Sequence, residues 1–260
     1  MSDHRYVNAK PGAYQSQHGE DAWLEGYFGH KTSGFYVEVG AYDGKVISNT
    51  YYFEQLGWTG ALVEPHPEKA AACRANRPRS RVFECAAVSS PELESIELMD
   101  VPGGEVYSTV VANDFNLERL RKFGLESRSI RVPCRTLDSI LDEMRPQSID
   151  FVSIDVEGAE IEVLRGFDIA RWRPQLVLVE SPPERLDNVR DYFVARGYAY
   201  RRSIDVNDIY EALPASLPWR DRPILAATLD HVRYRTCKAL TRVRASTRVR
   251  TRLRARGLWP

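Results

Sequence analysis

The residues with the most chemical potential stand at the ends of apolar runs. Phe35-Tyr-Val leads into Glu38-Val-Gly40-Ala-Tyr-Asp43-Gly44. Glycines just past a strand let a ligand approach the backbone closely, and free N–H groups at the helix start that follows suit a carboxylate. The same glycines would also serve as plain turn residues. The spacing is not Gly-x-Gly-x-x-Gly, so a dinucleotide pyrophosphate is not the ligand it suits. Glu64 ends the next apolar run, 24 residues after Gly40. An acid at the tip of a second strand can accept both hydroxyls of a ribose. Asp155 closes Ile149-Asp-Phe-Val-Ser-Ile, Glu157 and Glu160 follow it, and Glu180 ends the run after that. Converging carboxylates act either as a general base or as oxygen ligands for a hard cation such as Mg2+. Glu160 also reads as a simple first-turn helix charge. His66, directly after Glu64, reads as a base, an adenine neighbour or a loop histidine, and His18 shares that ambiguity.

Short apolar segments alternate with helical patterns along the chain, which predicts βαβ units and an α/β fold with a doubly wound, mostly parallel sheet. Strands are expected at residues 35–40, 60–64, 82–88, 149–155 and 175–180. Helices are expected from Gly44 to about Leu56, over 67–76 behind Pro65 and Pro67, over 137–144 behind Thr136, over 158–165 and over 184–196. Gly57 and Gly197 are natural helix stops. Residues 89–135 are less regular, with a strand at 96–99, a Gly103-Gly104 turn and a helix near 113–123. An antiparallel hairpin is expected from Tyr198 to about Ile209. In such sheets ligands sit beyond the carboxyl ends of the strands, where the strand order reverses.

Five stretches resemble the FkbM family of methyltransferases. They are Ser16-Gln-His-Gly-Glu-Asp21; residues 35–44 with Ser48-Asn-Thr50; Gly57-Trp-Thr-Gly-Ala-Leu-Val-Glu-Pro65; Asn76-Arg-Pro78 followed by Ala86-Ala-Val88; and Asp150-Phe-Val-Ser-Ile-Asp-Val-Glu-Gly-Ala-Glu160 with Val163-Leu-Arg-Gly-Phe167. The resemblance covers roughly residues 15–180 and implies a Rossmann-like class I methyltransferase fold. It implies S-adenosylmethionine as methyl donor and O-methylation of a sugar, oligosaccharide or glycolipid hydroxyl, with a polyketide-type acceptor as the alternative. It places the donor along Glu38, Gly40 and Asp43, its ribose on Glu64, its adenine near Cys85 and Ala86, and its methionine end at Ser48, Asn49 and Thr50. It puts the Gln17–Asp21 stretch over the active site, so the expected organisation is a cover at 1–34, a methyltransferase domain at 35–230 and a tail at 231–260. Methyl transfer to an alcohol needs the oxygen, carbon and sulfur held in line and the hydroxyl deprotonated or polarised. Asp155, Glu180 and His66 are the candidate catalytic residues. Asp155 and Glu180 would also ligate Mg2+, if a cation holds two vicinal hydroxyls.

With 36 basic and 36 acidic side chains the chain has zero net charge, but residues 231–260 hold ten Lys or Arg and no acid. The first 230 residues therefore carry a net charge of −10. That balance argues against a nucleic-acid binder in spite of the arginine-rich tail. The tail could attract an anionic membrane surface, pair with a second subunit, or stay a solubilising extension. Four scattered cysteines, Cys73, Cys85, Cys134 and Cys237, read as reduced core thiols. Residues 1–19 lack the apolar stretch of a signal peptide. The expected location is cytoplasmic, or peripheral at the inner membrane face.

Overall fold

The computed structural model describes residues 13–101, 126–181, 187–214 and 216. The expected turn at Gly103-Gly104, the helix near 113–123, Cys237 and the basic tail lie outside the described residues. The chain divides into two units, Met1–Glu180 and Ser181–Pro260.

In the first unit β1 (Phe35–Val39), β2 (Thr59–Val63), β3 (Arg81–Phe83), β7 (Phe151–Ile154) and β8 (Leu176–Glu180) form a parallel sheet in the order β3-β2-β1-β7-β8. The sequence order reverses at β1, which pairs β2 on one side and β7 on the other. Val37, Leu62, Val63, Val152, Ile154 and Val177 are buried. Their near-continuous apolar runs are those of strands covered on both faces. One cover is α1 (Glu20–Phe28), whose Phe28 ring lies 5.4 Å from Trp58 and 6.0 Å from Phe151. α3 (Pro67–Asn76) starts on a proline, and α4 (Leu137–Met144) has its Ser139 N–H capped by Thr136 Oγ1 at 3.2 Å. α5 (Glu160–Arg165) and α6 (Ile169–Trp172) connect β7 to β8.

A small second sheet runs β4-β6-β5, from β4 (Ala86–Ala87), β5 (Ser95–Asp100) and β6 (Arg128–Arg135). Ala86, Val88, Leu98, Val132 and Cys134 pack together beneath it. The continuous strand expected at 82–88 is therefore two strands: Phe83 pairs Val63 in the main sheet, while Ala86 pairs Cys134 in the small one. The helix expected from Gly44 begins only at Tyr51, as α2 (Tyr51–Gln55). Before it Asp43 Oδ1 accepts from the N–H groups of Lys45 and Val46 at 2.8 Å, and Ile47 takes a left-handed φ of 56°. These local bonds compete with helix.

In the second unit α7 (Asp187–Ala195) precedes an antiparallel hairpin of β9 (Tyr198–Ile204) and β10 (Asn207–Ala212). Phe193 stacks on Tyr210 with ring centres 4.1 Å apart. The hairpin is the expected one, extended by three residues to Ala212.

Candidate active site

The site forms where β1 and β7 end side by side. Gly40 has φ +81° and its N–H donates to Val63 O at 2.9 Å. Asp155 N–H donates to Val39 O at 3.0 Å. A Cβ on Gly40 would stand 1.8 Å from the Asp155 carbonyl oxygen, so only glycine lets the two strand ends approach this closely. A small cavity opens there to solvent. Glu38, Gly40, Tyr42, Ile47, Ser48 and Asp155 are among the residues lining it, as are Asn49 and Ser153.

Glu38 is buried, and its carboxylate is crowded with donors. Ser48 Oγ donates at 2.8 Å, Asn49 N–H at 2.8 Å and Thr50 Oγ1 at 2.6 Å. Asn49 Nδ2 donates in turn to Ser153 Oγ on β7 at 2.9 Å. Glu38 therefore fixes the loop that replaces the expected helix, and the loop is pinned to β7. Glu64, 7% exposed, takes one backbone N–H on each oxygen, from Tyr42 at 2.8 Å and from His66 at 2.9 Å. Burial pushes its carboxyl up to about 7, against the weaker pull of those N–H groups and Lys69. A carboxylate has about four lone-pair positions, so these two bonds leave acceptor capacity on Glu64. Glu64 stands behind Tyr42 and is not itself among the residues lining the cavity, nor is Glu180.

Asp155 stands in opposite surroundings. Burial, followed by the charges of Glu180, Glu157, Glu160 and Glu20, raises its carboxyl well above the usual aspartate range. Ile154 pairs with Val179, so the next residues, Asp155 and Glu180, close neighbouring strands at one edge. Glu157 has φ 54° and Gly158 φ 112°, which makes a tight turn after Asp155. Glu160 is buried and its Oε1 accepts from Gly158 N–H at 2.8 Å. It holds the turn together besides opening α5. Glu20 belongs to the N-terminal stretch, and sequence reasoning did not single it out. Asp21 ties that stretch down by accepting from Gln15 N–H at 2.7 Å and Ser16 Oγ at 2.5 Å. Ser16 bridges Ile47, a residue of the cavity wall.

The other candidates do not join this group. His66 is not among the residues lining the cavity; its Nε2 lies 3.2 Å from Asp100 Oδ1, and Arg128 Nε donates to Asp100 Oδ2 at 2.7 Å. His66 serves Glu64 through its backbone. Cys85 and Ala86 are buried and line no part of the cavity, Ala86 packing instead under the small sheet. Asp43 shapes its loop through the two N–H groups it accepts. Cys73, Cys85 and Cys134 are free thiols. Among the described residues no three His, Cys, Asp or Glu side chains are grouped to hold a metal ion. No described helix is long and apolar enough to cross a membrane.

No curated protein matches the chain. A solved structure of a TehB-like SAM-dependent methyltransferase from Corynebacterium glutamicum ATCC 13032 Kitasato is 9% identical, with a TM-score of 0.41 over 76% of this chain and 89% of that one. The methyltransferase FkbM domain matches residues 38–200, which takes in the β1 loop, Glu64, Asp155 and Glu180. The α/β fold is Rossmann-like, and the chain belongs to the FkbM family of S-adenosylmethionine-dependent methyltransferases.

Proposed function

We propose that the protein methylates a hydroxyl of a sugar, oligosaccharide or glycolipid, with Asp155 taking the hydroxyl proton. What supports this reading is Asp155 itself: the residue lines the cavity, its backbone carbonyl packs against Gly40, and burial and neighbouring acids raise the proton affinity of its carboxyl. A base tuned toward the working pH takes a proton from an alcohol better than an ordinary aspartate.

The residues present fit the donor. Its ribose suits the acceptor capacity that the two N–H bonds leave on Glu64, and its cationic end suits a wall that includes Glu38 and Asp155. When bound, the donor supplies an electrophilic methyl group on a sulfonium. The chain's own residues do the rest. Glu64 holds the hydroxyls of the nucleoside, the Glu38-braced loop shapes the wall, and Asp155 holds the acceptor oxygen and receives its proton. The surrounding acids, Glu180 foremost, keep that proton on Asp155 until solvent removes it. Asp155 and Glu180 form the candidate Mg2+ pair, and metal assistance would make the same two acids ligands rather than a base and its helper.

One observation favours an acceptor with an apolar part. Val46 and Ile47, both in the cavity wall, are 49% and 38% exposed. That suits a glycolipid, and equally the second reading, a polyketide-type hydroxyl. The test is methyl transfer from S-adenosylmethionine to a panel of free sugars, glycolipids and polyketide alcohols, read by mass spectrometry with and without EDTA. Transfer to a glycan-bearing acceptor that survives EDTA supports the reading. Methylation confined to polyketide alcohols would replace the acceptor class, and loss of activity to EDTA restored by Mg2+ would replace the metal-free base.

A further inference from the structure

Arg77 has no exposed surface and stands just past the end of α3, yet its guanidinium reaches into the loop that walls the cavity. Nη1 donates to Gly44 O at 2.8 Å and to Ser48 Oγ at 3.4 Å. Nη2 donates to Thr50 Oγ1 at 2.9 Å, and Nη1 lies 3.6 Å from the Glu38 carboxylate. On its other side Nε donates to Glu54 Oε2 at 2.9 Å and Nη2 to the Tyr36 hydroxyl at 2.6 Å. The aliphatic part of the side chain is also engaged. A Cβ on Gly44, where φ is +77°, would meet Arg77 Cγ at 2.8 Å. The end of α3 adds two more grips: Asn76 Nδ2 donates to Asp43 O at 2.9 Å, and Cys73 Sγ to Tyr42 O at 2.9 Å.

A buried guanidinium needs its donors satisfied and its charge balanced, and Arg77 achieves both by bonding the loop to the core. Residues 44–50 have little regular structure of their own, and Ile47 holds a φ that β-branched side chains rarely take. Such a conformation persists only where its surroundings determine it. We infer that Arg77 is a positioning residue for donor binding: its fork fixes the loop at Gly44, Ser48 and Thr50 so that the wall is formed before the donor arrives. This rests on the donor site described above. The fork geometry matters as well as the charge, because one ammonium cannot span Gly44, Thr50, Tyr36 and Glu54 together.

The test compares the loop side of the clamp with its core side in the full chain, using calorimetric affinity for S-adenosylhomocysteine and the denaturant midpoint. Arg77→Lys is expected to weaken binding about tenfold, the order of one lost hydrogen bond to a charged group. Tyr36→Phe removes an Nη2 partner on the core side only, and is expected to lower the midpoint while leaving affinity within about twofold, as for loss of a single hydrogen bond away from the loop. Should Arg77→Lys fail to fold, Thr50→Val removes one loop-side partner of Arg77, together with the Thr50 bond to Glu38, and is expected to weaken binding similarly, with Thr50→Ser restoring it. Wild-type affinity in folded Arg77→Lys or in Thr50→Val would overturn the inference, as would an equal loss in Tyr36→Phe. A wild-type protein that does not bind S-adenosylhomocysteine would overturn the donor reading and this inference with it.

Discussion

Glu38, near the end of β1, and Asp155, just past β7, line one cavity, yet their carboxylates meet opposite company. Glu38 is surrounded by donors: two hydroxyls, a backbone N–H and the Arg77 guanidinium. Asp155 is surrounded by Glu180, Glu157, Glu160 and Glu20. The first arrangement stabilises a fixed anion and spends it on building a wall. The second makes the anion costly and the protonated form comfortable, which suits a group that must accept a proton. Position at a strand end does not by itself separate a structural acid from a reactive one; the hydrogen bonds around it do.

The largest expected effect in binding belongs to a third acid. Glu64→Ala should weaken S-adenosylhomocysteine affinity by about 2 kcal/mol, roughly thirtyfold, because two hydroxyls lose a charged acceptor. Its raised carboxyl adds a pH signature. Glu64 is protonated below about 7, so wild-type affinity should fall as pH drops through that value, by up to about tenfold per unit. Folding responds in the opposite sense. With the folded value raised above the unfolded one, the contribution is fully present at low pH and is lost as pH rises through about 7. Titration calorimetry across that range checks the first, and denaturation midpoints the second.

Glu38→Gln sharpens the contrast from the structural side. It should cost about 1–3 kcal/mol in folding stability, since charged hydrogen bonds to Ser48, Asn49 and Thr50 are weakened and Arg77 loses one counter-charge. Urea denaturation reads it directly. Glu180→Gln should have a smaller and different effect. Removing the like charge that acts most strongly on Asp155 lowers its proton affinity, so the acid limb of the rate–pH profile should move to lower pH. An unmoved limb would mean that Glu180 does not act on the base.

Much of the main sheet was legible because its strands are apolar runs ended by acids or glycines, and Thr136 marked α4 by capping chemistry. The small sheet was not. β6 alternates exposed Arg131 and Pro133 with buried Val132 and Cys134, and its proline argues against an inner strand on local grounds. Pro133 is tolerated where the ladder with Ser95 ends and that with Ala86 begins at Cys134. Residues 45–50 read as helix because, beyond the local bonds of Asp43, the contacts that hold them unwound come from Glu38 and Arg77, farther away in sequence. Arg77 stood within a motif, but its partners lie 23 to 41 residues away. His66 illustrates the converse: a chemically plausible neighbour of Glu64 whose ring faces Asp100.

The most direct measurement takes Asp155→Asn and reads two quantities on the same protein. Because the Asp155 carboxyl is raised on folding, its contribution to stability is present at low pH and lost as pH rises through its folded value. Removing the charge should therefore raise the unfolding midpoint at pH above that value, while turnover on the acceptor identified by the panel falls at least about 100-fold. Affinity for S-adenosylhomocysteine should stay near wild type. Near-normal turnover, or a midpoint that falls as it does for Glu38→Gln, would contradict the account and place the base elsewhere.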